Sequence, residues 1–419
     1  MSSSSSPLGK FLNLLIDILR GLFGSSKPSV GGETPAQPPV TIPEAPVPGP
    51  ASPGGFPTPP ATNPTQPVVV LEPPVEATTP PTTTPTPPAT VPETPTDNVL
   101  EPARIVTARV LLIVYDPIMD EAAGTKLSQA MGWNRVEHLM GGFMADIEQN
   151  SNGLARYEIV QRIDMHEFPA LADGYRYTPE AYSAVLTGAA SAHQPNTVDY
   201  QAILTGFNIL PRVANREIDE VWVFGFPHAG FYESIMGGAG AFWCNAPPLY
   251  VTAACSRKFI LMGFSFERGV GEMLESFGHR AEFLLAKVFH CQDFVFWAYN
   301  PNRSPAVVAS PASLNLFQRY LCFDQIAPGQ AAIGTIHYAP NSERDYDWNN
   351  PRLVASECYE WDNFPEFKND IRQVSADEWG AGDIRAHHTW WLKHLPHVAG
   401  RTGGIANNWW QYVMDPNLI

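Results

Sequence analysis

The stretch KFILMGFSFERGVGEMLESFGHRAEFLLAKVF, residues 258–289, joins a short apolar run to a long helical repeat. Its first part, KFILMGF at 258–264, is apolar almost without interruption, the pattern of a strand covered on both faces. Beyond Gly269 the residues Val270, Met273, Leu274, Phe277, Leu284, Leu285 and Val288 recur at helical spacing. That repeat predicts one helix from about Gly269 to Phe289, entered directly from a buried strand.

Outward from this unit the same pattern returns. Val110–Tyr115 in RIVTARVLLIVYDP and Val221–Phe226 in EIDEVWVFGFPHAG are further apolar runs, and ARYEIVQRIDM at 155–165 reads as a fourth strand. Helical segments are predicted around Gly132–Gln149 and near Asp199–Asn208. Strands alternating with helices give an α/β fold with a mostly parallel sheet and flanking helices. From about Pro301 the chain turns loop-rich and aromatic, with Trp348, Trp361, Trp379, Trp390, Trp391, Trp409 and Trp410, and is expected to form an irregular layer on the sheet. Ligands of parallel sheets sit beyond the carboxyl ends of the strands, which here are the loops at Asp116, His228 and Glu267.

Composition divides the 419 residues into three segments. More than half of the 42 prolines lie between Lys27 and Pro102, where aromatic residues are nearly absent. Residues 27–102 cannot bury enough apolar surface to offset chain entropy and are expected to be a disordered Pro/Thr-rich spacer, similar in composition to O-glycosylated stalks. Ahead of it, residues 1–26 place Lys10, Asn13, Asp17 and Arg20 on one helical stripe opposite Phe11, Leu12, Leu15, Ile16, Leu19, Leu22 and Phe23. The pattern fits an amphipathic helix on a membrane surface through residues 8–23, with a signal-like segment as the rival. The globular α/β domain is expected over 103–419. A formal charge of −16 argues against nucleic acid as a partner. Cys244, Cys255, Cys291, Cys322 and Cys358 form no CxxC pair, so they read as small buried thiols, or as a Cys244–Cys255 clip if the protein is exported.

Along the predicted helix Glu272, Glu275, His279 and Glu282 are spaced three, four and three apart, on a single stripe. Glu275 and His279, one turn apart, can reach one cation, and their donor types suit Zn²⁺ or Mn²⁺. Apolar neighbours (Phe264, Phe266, Met273, Phe277, Phe283) predict that the helix is buried, and buried ionisable groups without partners are prohibitively costly. The bland alternative is a solvated face, with Arg280 and Lys287 making ordinary pairs along the helix. Further metal ligands are expected from His228 first and His337 second. Glu272 is expected as general base, and Glu282 as the group that orients His279. His387, His388, His394 and His397 read as structural or surface residues. Asp345, Asp347 and Asn349 read as an Asx-rich turn, with a structural Ca²⁺ as the rival.

Gly263-Phe264-Ser265-Phe266-Glu267 resembles the nucleophile elbow of α/β-hydrolases, GxSxG, with Glu267 in the place of the last glycine. It offers Ser265 as a rival nucleophile. Paired carboxylates among tryptophans would also equip a glycoside hydrolase, and a tethered carbohydrate-binding or adhesive module is a third class. The reading these residues support is a divalent-metal hydrolase acting on a peptide or polymer, at a cell surface, on a membrane or outside the cell.

Overall fold

The computed structural model describes residues 101–300 and 313–419. The expected amphipathic segment and nearly all of the Pro/Thr-rich spacer lie outside the described residues. Five strands form the main sheet: β1 (Val106–Tyr115), β2 (Ala155–Met165), β3 (Glu220–Gly225), β4 (Ser234–Gly237) and β5 (Phe259–Ser265). Their order is β2-β1-β3-β5-β4. The first four in that order are mutually parallel, and β4 closes the edge antiparallel to β5. The protein is an α/β fold.

β1 starts four residues before the apolar run at Val110 because its first turns of pleat alternate buried and exposed side chains. Further along, both faces are covered. Val110, Leu112 and Val114 join a core on one side, while Leu111 and Ile113 join Tyr182, Ile203 and Val213 on the other. The helix expected from Gly132 starts later, at Val136, because Gly132 takes a left-handed conformation that ends a preceding short helix.

Helices α1 (Val136–Asn150), α2 (Val270–Val288), α3 (Gln292–Tyr299), α4 (Ile384–Lys393) and α5 (Trp410–Met414) complete the part that matters for the site. α2 leaves β5 and packs against all four of the others. Every residue from Met273 to Ala286 is buried. Each large apolar side chain removed from water there contributes about 1.5–3 kcal/mol. Two glycines permit this crowding. A β-carbon on Gly271 would come 2.5 Å from Ile384 Cγ2 of α4, and one on Gly278 would overlap Ile336.

Arg280 makes no pair along its own helix. It is fully buried and forks onto Glu220 of β3, at 2.5 Å and 2.8 Å, while also donating to the Val413 carbonyl of α5 at 2.7 Å. That buried pair fixes which face of α2 meets the sheet. The aromatic C-terminal layer is core: Tyr320 meets Trp361, Trp391 and Trp409 edge-on, and Trp391 Nε1 donates to the Gly334 carbonyl at 2.9 Å. All five cysteines are buried and unpaired. Among the described residues no helix is long and apolar enough to cross a membrane.

Candidate metal centre

α2 carries half of the site and a turn at 334–338 carries the rest. Gly334, with φ +88, turns the chain where a β-carbon would strike the Tyr338 carbonyl oxygen. Thr335 N donates to that same carbonyl at 3.0 Å. The turn can settle against α2 only because Gly278 leaves room for Ile336. The next residue, His337, is thereby set over Glu275 and His279.

Glu275, His279 and His337 each offer one donor atom within 4.8 Å of the other two, so this group can hold a metal ion. His337 Nε2 lies 3.0 Å from His279 Nε2 and 3.1 Å from Glu275 Oε1. The Tyr346 hydroxyl lies 2.9 Å from the same nitrogen and donates to Glu275 Oε1 at 2.7 Å. An imidazole nitrogen has one in-plane position, either a lone pair or an N–H. Three polar neighbours on one such nitrogen cannot all be satisfied by it. A cation between them satisfies all at once. The edge of a tetrahedron with 2.0–2.1 Å bonds is about 3.3 Å, close to the 3.0 Å and 3.1 Å from His337 Nε2 to the His279 and Glu275 donors.

Behind the donors, both imidazoles are held by carboxylates. His279 Nδ1 sits 3.1 Å from Glu282 Oε2, and His337 Nδ1 sits 2.9 Å from Asp345 Oδ1. A carboxylate accepts, so both Nδ1 atoms carry hydrogen and both Nε2 atoms face the centre. Glu282 is fully buried and also accepts from the Tyr299 hydroxyl at 2.7 Å and from Ile336 N at 3.0 Å. It therefore ties the helix ligand to the turn that carries the other histidine.

Electrostatics reinforce the cluster. Burial pushes the His337 pKa down, but hydrogen bonds to Asp345 and Glu275 outweigh it and raise the pKa to about 9. Burial opposes charge on Glu275, yet the His337 hydrogen bond and the charges of His279 and His337 bring it to about 2. Without a cation, His337 and Glu275 are thus an ion pair.

Two expected residues fall elsewhere, and the expectation is corrected for both. His228 is exposed in the turn after β3, with φ +64, and is not in the metal-holding group. Glu272 shares the stripe, but its carboxylate accepts from Gly269 N at 2.9 Å and closes the first turn of α2. Ser265 Oγ accepts from Glu267 N at 3.3 Å, and the described residues show no histidine bonded to it. Asp347 accepts from Glu343 N and Asn350 Nδ2, and Asn350 Oδ1 accepts from Arg352 N two residues on, an Asx turn. His387, His388 and His394 are buried structural residues, with His387 stacked on Trp348. Tyr346, Tyr299 and the role of Asp345 were not foreseen, since a lone tyrosine in a polar loop gives no periodic signal. Compared with protein-family models, with curated proteins and with solved structures, the chain matches none of them.

Proposed function

We propose that this chain is a divalent-metal-dependent hydrolase whose ion is held by Glu275, His279 and His337. The observation that carries the reading is the oversubscribed His337 Nε2, faced by His279, Glu275 and Tyr346 within 3.1 Å. Two imidazoles and a carboxylate favour Zn²⁺, with Mn²⁺ next. A cation so held polarises a carbonyl or phosphoryl oxygen and acidifies water.

The chain's own groups divide the remaining work. Glu282 and Asp345 keep the two imidazoles in the tautomer that presents Nε2. Glu272 is occupied at the helix end, so the base role passes to another acid. A glycosidase reading fits less well, because Glu275 and Glu272 are each engaged by neighbours rather than flanking a cleft. For substrate and place we propose a peptide or polymer at a cell surface or outside the cell, on the strength of the stalk-like spacer and residues 8–23. The five unpaired thiols do not require that location.

Metal analysis of the purified chain tests the reading. About one zinc or manganese per chain is expected, falling sharply in His279→Ala, with hydrolysis of a peptide or ester panel that chelation abolishes. A metal-free chain that still cleaves a glycan panel would overturn it.

A further inference from the structure

The three donors differ from Tyr346 in how they are held. Glu275 and His279 are buried on a helix, and the His337 side chain is only 15 % exposed. Tyr346 is 42 % exposed at a loop tip, with a left-handed φ of +57. Its ring lies tilted on the His337 imidazole at 4.2 Å and meets Trp348 edge-on at 5.2 Å. The loop around it is anchored on both sides. Tyr346 N donates to the His337 carbonyl at 3.2 Å, as does Trp348 Nε1 at 3.0 Å. Asp347 ties back to Glu343 N and Asn350. The backbone is therefore fixed while the phenol is the layer between the donors and solvent.

We infer that the Tyr346 phenol oxygen is a reversible fourth donor, which closes the centre at rest and yields its place to an anionic oxygen ligand. The inference rests on the metal reading of Glu275, His279 and His337. Its geometry is the hydroxyl 2.7 Å from Glu275 Oε1 and 2.9 Å from His337 Nε2, among the donor atoms rather than beside them. A zinc site with four protein donors is closed, whereas chemistry needs an open position. Of the four groups only Tyr346 can leave by a side-chain rotation into solvent, since the others are locked in packed elements. The proton balance is simple. The phenol gives its proton to solvent as oxygen meets the ion, and takes one back when the incoming ligand displaces it.

The test loads the full chain with Cu²⁺ and reads its visible spectrum, with metal content measured in parallel. Wild type should show a phenolate-to-copper charge-transfer band that acetohydroxamate bleaches. Tyr346→Phe should bind the same one ion per chain with unchanged far-ultraviolet circular dichroism, lack the band, and take acetohydroxamate about tenfold more tightly. That factor corresponds to a site that Tyr346 occupies about nine-tenths of the time. Copper bound without the band, or an identical band in Tyr346→Phe, overturns the fourth donor and leaves the metal reading standing. A band that acetohydroxamate cannot bleach overturns reversibility. A wild-type chain that binds neither copper nor zinc overturns both readings.

Discussion

Gly278 of α2 and Ile336 of the 334–338 turn occupy one another's space: a β-carbon on the glycine would overlap both Cδ1 and Cγ1 of the isoleucine. The vacancy is what brings His337 down to Glu275 and His279. Gly278→Ala gains up to about 1 kcal/mol of helix propensity, while overpacking costs about 1–3 kcal/mol. The expected result is a net loss of stability together with weaker metal binding. Ile336→Val in the same chain should restore part of both. Calorimetry with zinc titration measures it, and a Gly278→Ala chain of unchanged metal affinity would refute the packing argument.

Glu282, itself fully buried, joins His279, Tyr299 and Ile336 N. Glu282→Ala leaves three polar groups short of a partner, at a cost of about 1–3 kcal/mol for each one left unsatisfied. Outer partners of metal ligands are typically worth about 10–100-fold in affinity. Glu282→Gln keeps the shape and one acceptor, so it should fold near normally and lose less affinity than Glu282→Ala. Equal metal affinities in the two variants would show that Glu282 only packs.

At the sheet side of the same helix, Arg280 and Glu220 are both buried to within 1 %. Removing one partner strands the other charge. Arg280→Met or Glu220→Gln alone should cost about 3–5 kcal/mol, whereas replacing both with apolar side chains should recover much of it. Urea denaturation of the two single variants and the double variant reads the coupling, and additive losses would contradict it.

How much of this was legible in the sequence follows from range. The β5–α2 unit declares itself because apolar run and helical repeat are local patterns, and the burial of α2 follows from apolar residues flanking its polar stripe. Glu272 departs from the stripe's chemistry because the first turn of a helix has unpaired N–H groups that capture a nearby carboxylate, which spacing alone does not reveal. His228 was drawn in by the rule for sheet ends, which locates loops and not the directions of their side chains. His337, expected as the second choice, meets the other donors, but its rank above His228 and the approach of Tyr346 depend on the Gly334 turn, on Trp391 reaching that turn, and on the fit of Ile336 against Gly278. Those contacts span tens of residues and leave no periodic mark.

His388 gives a prediction of stability against acid. It is fully buried, its Nδ1 lies 3.0 Å from the Gly271 carbonyl, and its Nε2 has no partner. Burial pushes its pKa down to about 4, and His387 is lowered as well. Because the folded value lies below the unfolded one of about 6.5, the unfolded chain binds the proton first. The contribution is complete above about pH 6.5 and is lost as pH falls towards 4, on the order of 3 kcal/mol for His388. His388→Gln should flatten the fall of Tm across that range, and a slope unchanged by the substitution would assign the acid loss to other groups.

The metal centre gives the opposite sign. His337 has its folded pKa raised to about 9 in the metal-free chain. Its ion pair with Glu275 therefore adds stability that is fully present below about pH 6.5 and is lost as pH rises through 9. A cation needs the same nitrogen without its proton, so binding between pH 6.5 and 9 must expel one. In Tyr346→Phe, zinc affinity should climb about tenfold per pH unit across that window and level off above it. Tyr346→Phe isolates the effect, since it removes the phenol's own proton from the count. In that variant, titration in two buffers of different ionisation enthalpy should report close to one proton released per ion at pH 7.5. When His337→Ala is added to Tyr346→Phe, the release and the pH slope should both vanish, along with most of the affinity. Zinc binding that releases no proton from Tyr346→Phe at that pH would mean that His337 is not a ligand.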